Sequence, residues 1–234
     1  MTVDTRTLPF SIENAFTDQL GGGNPAAIVH LPSLTSLPNT TLQTIAANFN
    51  LSITAFVAPL THGEDNVDPS SWAVTTTTTF GIRWFTPKVE APICGHGTIT
   101  AAAAIFRDVG RGAEDATAIR FQATSGKFLI VRKVEEDRIE IDLDSEKSVQ
   151  LSMEEDIRLQ GVLIKALGKN VPVRYMGRGA GHMSHYALVE VDTLDLKNLR
   201  VNTDAFVSIH LAMNMSKVVD ECRTWMVSLR ALSK

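Results

Sequence analysis

Cysteine and histidine stand two residues apart in "CGHGT", Cys94 to Thr98, interleaved with Gly95 and Gly97. The run "GHGTITAAAAIF" is small and apolar nearly all round, which predicts a buried helix over 95–107 that opens at this motif. A helix N-terminus carries unpaired N–H groups and the positive end of the helix dipole, so it attracts anions. Glycine at 95 and 97 lets a ligand approach the backbone closely. A thiol placed here has its pKa lowered, which suits Cys94 to acid/base or nucleophilic work. His96 is placed to transfer a proton or to hydrogen-bond a carboxylate. The same residues admit a second reading, in which the glycines serve tight packing and Cys94 is a small core residue.

The elements that must position this motif are mostly strands. "LPFSIENAF" alternates apolar and polar residues as a first strand, and "AAIVHL" follows three glycines and Asn24-Pro25 as a second. Leu42, Ile45, Ala46 and Phe49 share one face of a short helix over 39–49. "SITAFVAP" reads as a strand, and "THGEDNVDPSS" as a polar surface loop. "WAVTTTTTFGIRWFTP" is β-branched and aromatic, a strand or a hairpin bent at Gly81. The alanines of the 95–107 helix let strands approach from every side, so a curved sheet wrapped around it is the expected packing. Strands are expected at 118–123, 127–134, 137–143 and 171–176 and within "SHYALVEVD", with an amphipathic helix at 153–167. The polar link at 107–116 sets the expected division into 1–112 and 113–234. In the tail, Leu211, Met215, Val218, Val219, Cys222, Trp225, Met226 and Leu229 fall at helical spacing, predicting one long amphipathic helix over 209–231.

Bulk properties narrow the function classes. The chain has 234 residues, 44% hydrophobic, enough for a substantial core. A net charge of −4, with no block of Lys or Arg, argues against nucleic acid as a partner. Two cysteines, Cys94 and Cys222, are too few for a disulfide framework and read as free thiols of a reducing compartment. The N-terminal stretch lacks an apolar signal core and no apolar run reaches membrane-spanning length, so a soluble, cytoplasmic protein is expected. His182 and His185 in "GHMSHY" lack a third ligand for a metal site. "GGGN" lacks the Lys-Ser/Thr of a phosphate loop and precedes a strand, which makes it a turn. Either Arg83 or Trp84 faces the ligand cleft, and alternation leaves the choice open.

Four blocks, "NAFTDQLGGGNPAAIV", "IAANFNLSITAF", "IRWFTPKVEAPICGHGT" and "FQATSGKFLIV", resemble the phenazine-biosynthesis PhzF-like proteins of the diaminopimelate-epimerase-like superfamily. The resemblance spans about residues 8 to 200 and implies an α+β fold of two pseudo-symmetric lobes. Each lobe is a curved sheet around a central helix, with a small carboxylate held between them, no metal or coenzyme, and a homodimer. It implies cofactor-independent isomerisation or epimerisation, a proton moved on and off carbon. In the isomerases the acid/base is the glutamate of a "Ser-Glu-Thr" motif, whereas the epimerases pair two cysteines.

The chain departs from that pattern in three places. Ser52-Ile53-Thr54 carries isoleucine where the isomerases keep glutamate, and Asn14 and Asn48 stand where acidic residues are usual. The turn that leads into the second lobe's central helix has no counterpart after Phe206, so a shortened second lobe is expected. Cys94 is the one motif cysteine, and Cys222 lies on the apolar face of the tail helix. Expected catalytic groups are Cys94 and His96, and expected substrate contacts are Asn24, Ser52, Gly95, Gly97 and Thr98, with Asp18 beside the glycine turn. Two functions follow: an isomerase- or cyclase-type enzyme acting on a carboxylate-bearing metabolite, or a non-catalytic module that binds a small molecule or a protein.

Overall fold

The strand order follows from which side chains can be covered on both faces. The computed structural model describes residues 7–19, 21–60, 77–108, 116–134, 138–143, 148–168, 172–180, 187–191, 200–202, 205 and 228–230. β1 (Phe10–Ala15) and β2 (Asn24–His30) pair antiparallel. α1 (Asn39–Phe49) then carries the chain to β3 (Ile53–Pro59), which joins β2 in parallel. β3 is apolar along its length because both of its faces are covered. Ile53, Ala55 and Val57 turn to one core, while Phe56 and Ala58 pack with Leu42 and Ala46 of α1 in another.

β4 (Thr77–Phe85) runs antiparallel to β3 and pairs at its end with the short β5 (Glu90–Ala91). α2 (Gly95–Arg107) follows, and β6 (Ala118–Ala123) returns parallel to β4. β7 (Phe128–Lys133) and β8 (Ile139–Asp142) extend the sheet to eight strands. The two ends of this sheet, β1 and β8, both pack against α2, as do β2, β3 and β7. The sheet therefore curls around the helix, as its alanines predict. Ala101, Ala102 and Ala104 are buried, and only small side chains let strands close on a helix from so many directions.

A second unit holds β9 (Val149–Gln150), α3 (Met153–Leu167), β10 (Val173–Arg178), β11 (Ala187–Val191) and β12 (Ser228–Arg230). The four strands form one sheet in the order β12-β11-β10-β9. α3 starts with a capping box between Ser152 and Glu155. It lays Leu159, Val162, Leu163 and Ala166 against Ala187, Val189 and Val191.

Three expectations are corrected. The chain divides after Leu143 rather than at 112, because β6 to β8 complete the sheet around α2. β4 runs straight through Gly81 with no hairpin: a Cβ there would lie 2.5 Å from a methyl of Leu34, so glycine serves close packing instead of a bend. Ser228–Arg230 pair with β11 as a strand, where the backbone gains ladder hydrogen bonds that an isolated helix end cannot offer. The rest of the expected 209–231 helix, with Cys222, lies outside the described residues, as do His182 and His185. No helix among the described residues is long and apolar enough to cross a membrane.

Candidate active site

The motif's neighbours are delivered by two turns. Gly21 and Gly23 take positive φ, and a Cβ on Gly23 would sit 2.2 Å from the Ala15 carbonyl oxygen, so the turn before Asn24 requires glycine. Asn50 closes α1 in the left-handed conformation and turns the chain toward Ser52 and β3. Because β2 and β3 run parallel with Ala26 opposite Ile53, Asn24 and Pro25 at the start of β2 come beside Ser52, the residue before β3.

Four side chains form one bonded run. The Cys94 sulfur lies 3.2 Å from His96 Nδ1, and His96 Nε2 lies 3.3 Å from Ser52 Oγ. Ser52 Oγ is also 3.3 Å from Asn24 Oδ1 and 3.3 Å from the Pro25 carbonyl oxygen. Those two oxygens only accept, so the hydroxyl proton goes to one of them and Ser52 accepts from His96 Nε2–H. Nδ1 is then the bare nitrogen, and the Cys94 thiol donates to it.

Burial supports this assignment. It holds the His96 pKa below the ordinary imidazole value, so the ring is neutral at pH 7. Burial also pushes the Cys94 thiol up to about 11, against the downward pull of the Gly97 and His96 backbone amides. The expected lowering of the thiol pKa is thus reversed: desolvation outweighs the helix start. Cys94 is the residue that precedes the helix, and its carbonyl accepts from Thr98 N–H at 3.0 Å.

The remaining candidates divide. Gly95 is open, since a Cβ there would meet only a methyl of Leu143 at 3.6 Å. Gly97 is closed: its Cβ position lies 2.8 Å from Ile53 Cγ2, 3.1 Å from Trp84 Cδ1 and 3.4 Å from the Cys94 sulfur. Thr98 is fully buried, and its hydroxyl donates to the Cys94 carbonyl at 2.7 Å, which turns it into the helix and away from a ligand. Asp18 is exposed on the turn before β2, and no described residue of the bonded run contacts it. β4 sends Arg83 and Trp84 to opposite faces of the sheet. Arg83 makes a two-pronged bond to Glu90, at 2.8 Å and 2.7 Å, while Trp84 turns to the core around α2. Sequence reading had no signal for the Ser52–His96 bond, which joins residues 44 apart.

Gly97→Ala tests this packing. The added methyl collides with Ile53 and Trp84, so a net loss of about 1–2 kcal/mol is expected after the gain in helix propensity is set against it. Ile53→Ala in the same chain should relieve part of the Gly97→Ala loss. A double-mutant cycle in urea reads the coupling, and additive losses would contradict the close contact.

Known proteins resemble this chain in sequence and fold. The family described as phenazine biosynthesis-like protein (PhzC-PhzF) matches residues 13–219. A phenazine biosynthesis-like domain-containing protein of Bos taurus is 42% identical over 136 residues, 58% of this chain and 42% of that protein. An uncharacterized isomerase of Halalkalibacterium halodurans is 32% identical over 197 residues, 84% of this chain and 62% of its own. The crystal structure of a PhzF-family phenazine biosynthesis protein from Enterococcus faecalis matches with a TM-score of 0.54 at 24% identity, over 85% of this chain and 63% of that one. The chain thus spans 42% to 63% of the lengths of these relatives.

Proposed function

The chain belongs to the phenazine biosynthesis-like protein family, and from that premise we propose that it is a cofactor-independent, isomerase-type enzyme that moves a proton on a small carboxylate-bearing substrate. The observation that carries the reading is the bonded run Cys94–His96–Ser52–Asn24 at the start of α2. At position 53, where the resemblance places the isomerase glutamate, the buried isoleucine exchanges no proton. The nearest groups that can are the thiol and the imidazole.

In this reading the thiol proton passes to His96 Nδ1, leaving a thiolate that faces the His96 and Gly97 amides. The sulfur then takes a proton from a substrate carbon beside a carboxylate or carbonyl, and the electron pair delocalises onto that group. The imidazolium returns its proton to another carbon of the substrate. Sulfur and ring end neutral when the sulfur's acquired proton stays with it, so one proton has moved and no oxidant or reductant is used. Ser52, held by Asn24 or Pro25, keeps the ring in the tautomer that this sequence needs. Substrate class, reaction direction and a cytoplasmic setting belong to this proposal.

The test is incorporation of solvent deuterium, read by NMR, into a panel of aliphatic and aromatic carboxylates. Wild type is expected to label at least one of them at a carbon-bound position. Cys94→Ala and His96→Ala should each label it at least about a hundredfold more slowly while melting cooperatively. One specific observation favours the other reading, a non-catalytic binding module: Ile53 is 3% exposed and packs against Gly97 and Trp84 like any core residue. Carboxylates that stabilise wild type without exchanging a proton would establish that reading and overturn the enzyme.

A further inference from the structure

Trp84 is 2% exposed, yet its indole Nε1–H has no hydrogen-bond partner. An indole nitrogen only donates, and a buried one ordinarily finds an acceptor. Across the sheet Trp84 faces Ala55 on β3 and Ala91 on β5, neither of which has a polar side chain. The ring edge that carries the nitrogen is turned to the start of α2. Cδ1, the carbon bonded to Nε1, lies 3.1 Å from the Cβ position of Gly97, beside Ile53 Cγ2 and the Cys94 sulfur. The amides of His96 and Gly97 pull the Cys94 thiol pKa down. The indole N–H is a buried donor without an acceptor beside this helix start, next to the position where Ile53 offers no oxygen.

We propose that Trp84 is a ligand-binding residue whose indole N–H donates to a carboxylate oxygen of the substrate, so that the ligand supplies the acceptor that residue 53 lacks. This rests on the reading of the α2 start as a carboxylate site. The indole nitrogen is enclosed, so in this proposal the carboxylate reaches it as the packing opens beside Gly95, where a Cβ would meet only Leu143. Selection follows from the chemistry. A buried donor left unpaired penalises a ligand without an acceptor, so a carboxylate is preferred over an apolar molecule of the same shape.

The experiment uses the full chain with 15N-labelled tryptophan and benzoate, cyclohexanecarboxylate and glutarate as probes, with toluene as the apolar control. The indole N–H resonance of Trp84 is assigned from Trp84→Phe, or from Trp72→Phe and Trp225→Phe if the first fails to fold. Expected is a downfield shift of that resonance on binding of at least one carboxylate, and none with toluene. Trp84→Phe, which keeps an aromatic ring and removes the donor, should weaken that carboxylate about tenfold or more. Binding that His96→Ala abolishes, but that leaves the Trp84 resonance and the Trp84→Phe affinity unchanged, would overturn the role of Trp84 and spare the carboxylate site. Absence of binding by all three carboxylates to wild type would overturn both.

Discussion

Glu90→Ala is expected to lower stability by about 2 kcal/mol, a loss far larger than removal of a surface charge produces. Arg83 is 8% exposed and its guanidinium is held by both carboxylate oxygens of Glu90. Removing one partner of a buried pair leaves a desolvated charge, which costs about 3–5 kcal/mol when water is fully excluded. The side chain of Glu90 is 35% exposed, so water reaches the vacated place and the loss stays below that range. The Phe85 ring, 5.1 Å from the guanidinium carbon, holds part of the cation's contacts. Urea unfolding at unchanged m measures the effect. Arg83→Met added to Glu90→Ala should recover part of the loss, because no charge is then left unpaired. Equal losses in the single and double variants would refute the pairing argument. The same fork ties β4 to β5, three residues before the Cys94 helix start, so carboxylate binding should weaken in Glu90→Ala as well.

Alkaline pH should produce the second large effect. The Cys94 thiol titrates at about 11 in the folded chain against an ordinary value of 9.0. Between those values the unfolded chain has lost the proton and the folded chain has kept it. The unfolded state therefore binds fewer protons, and stability falls as pH rises from about 9 to about 11. Two pKa units correspond to roughly 3 kcal/mol over that window, after which this contribution is flat. Lysines and tyrosines titrate in the same range, so the informative quantity is the difference between wild type and Cys94→Ala across pH 8 to about 11.5. That difference should shift by roughly 3 kcal/mol toward the variant. A parallel pair of curves would mean that Cys94 is solvated in the folded state.

The helix start was legible because it is local. A run of Gly, Thr and Ala residues with Ile99, Ile105 and Phe106 among them, and Arg107 only at its end, suits a helix that other elements surround, and the sheet curls around it accordingly. The capped, apolar-faced α3 is likewise present at 153–167. The same local signals misled where a glycine had two uses. Gly81 left a hairpin open beside a strand, but the strand holds and the glycine makes room for Leu34 from the segment after β2. The 107–116 link read as a boundary because its composition changes there, although β6 pairs with β4 and keeps the next three strands in the first unit.

Sequence alone thus determined the α+β class, the buried central helix, the placing of a thiol and an imidazole at its start, and an isoleucine at position 53, where the resemblance implies a glutamate. Only the tertiary structure decided what these groups meet. The parallel register of β2 and β3 brings Ser52 to Asn24 and Pro25 and aligns the hydroxyl with His96, a contact between distant residues that no local pattern encodes. β4 turns Arg83 to the face it shares with Phe85, where it meets Glu90, and Trp84 to the face packed on α2, a choice that alternation permits in either sense until the cores take their faces. Depth of burial, a property of the whole sheet around α2, outweighs the helix start and keeps Cys94 a thiol. It also leaves the Trp84 indole N–H buried without an acceptor beside the helix start.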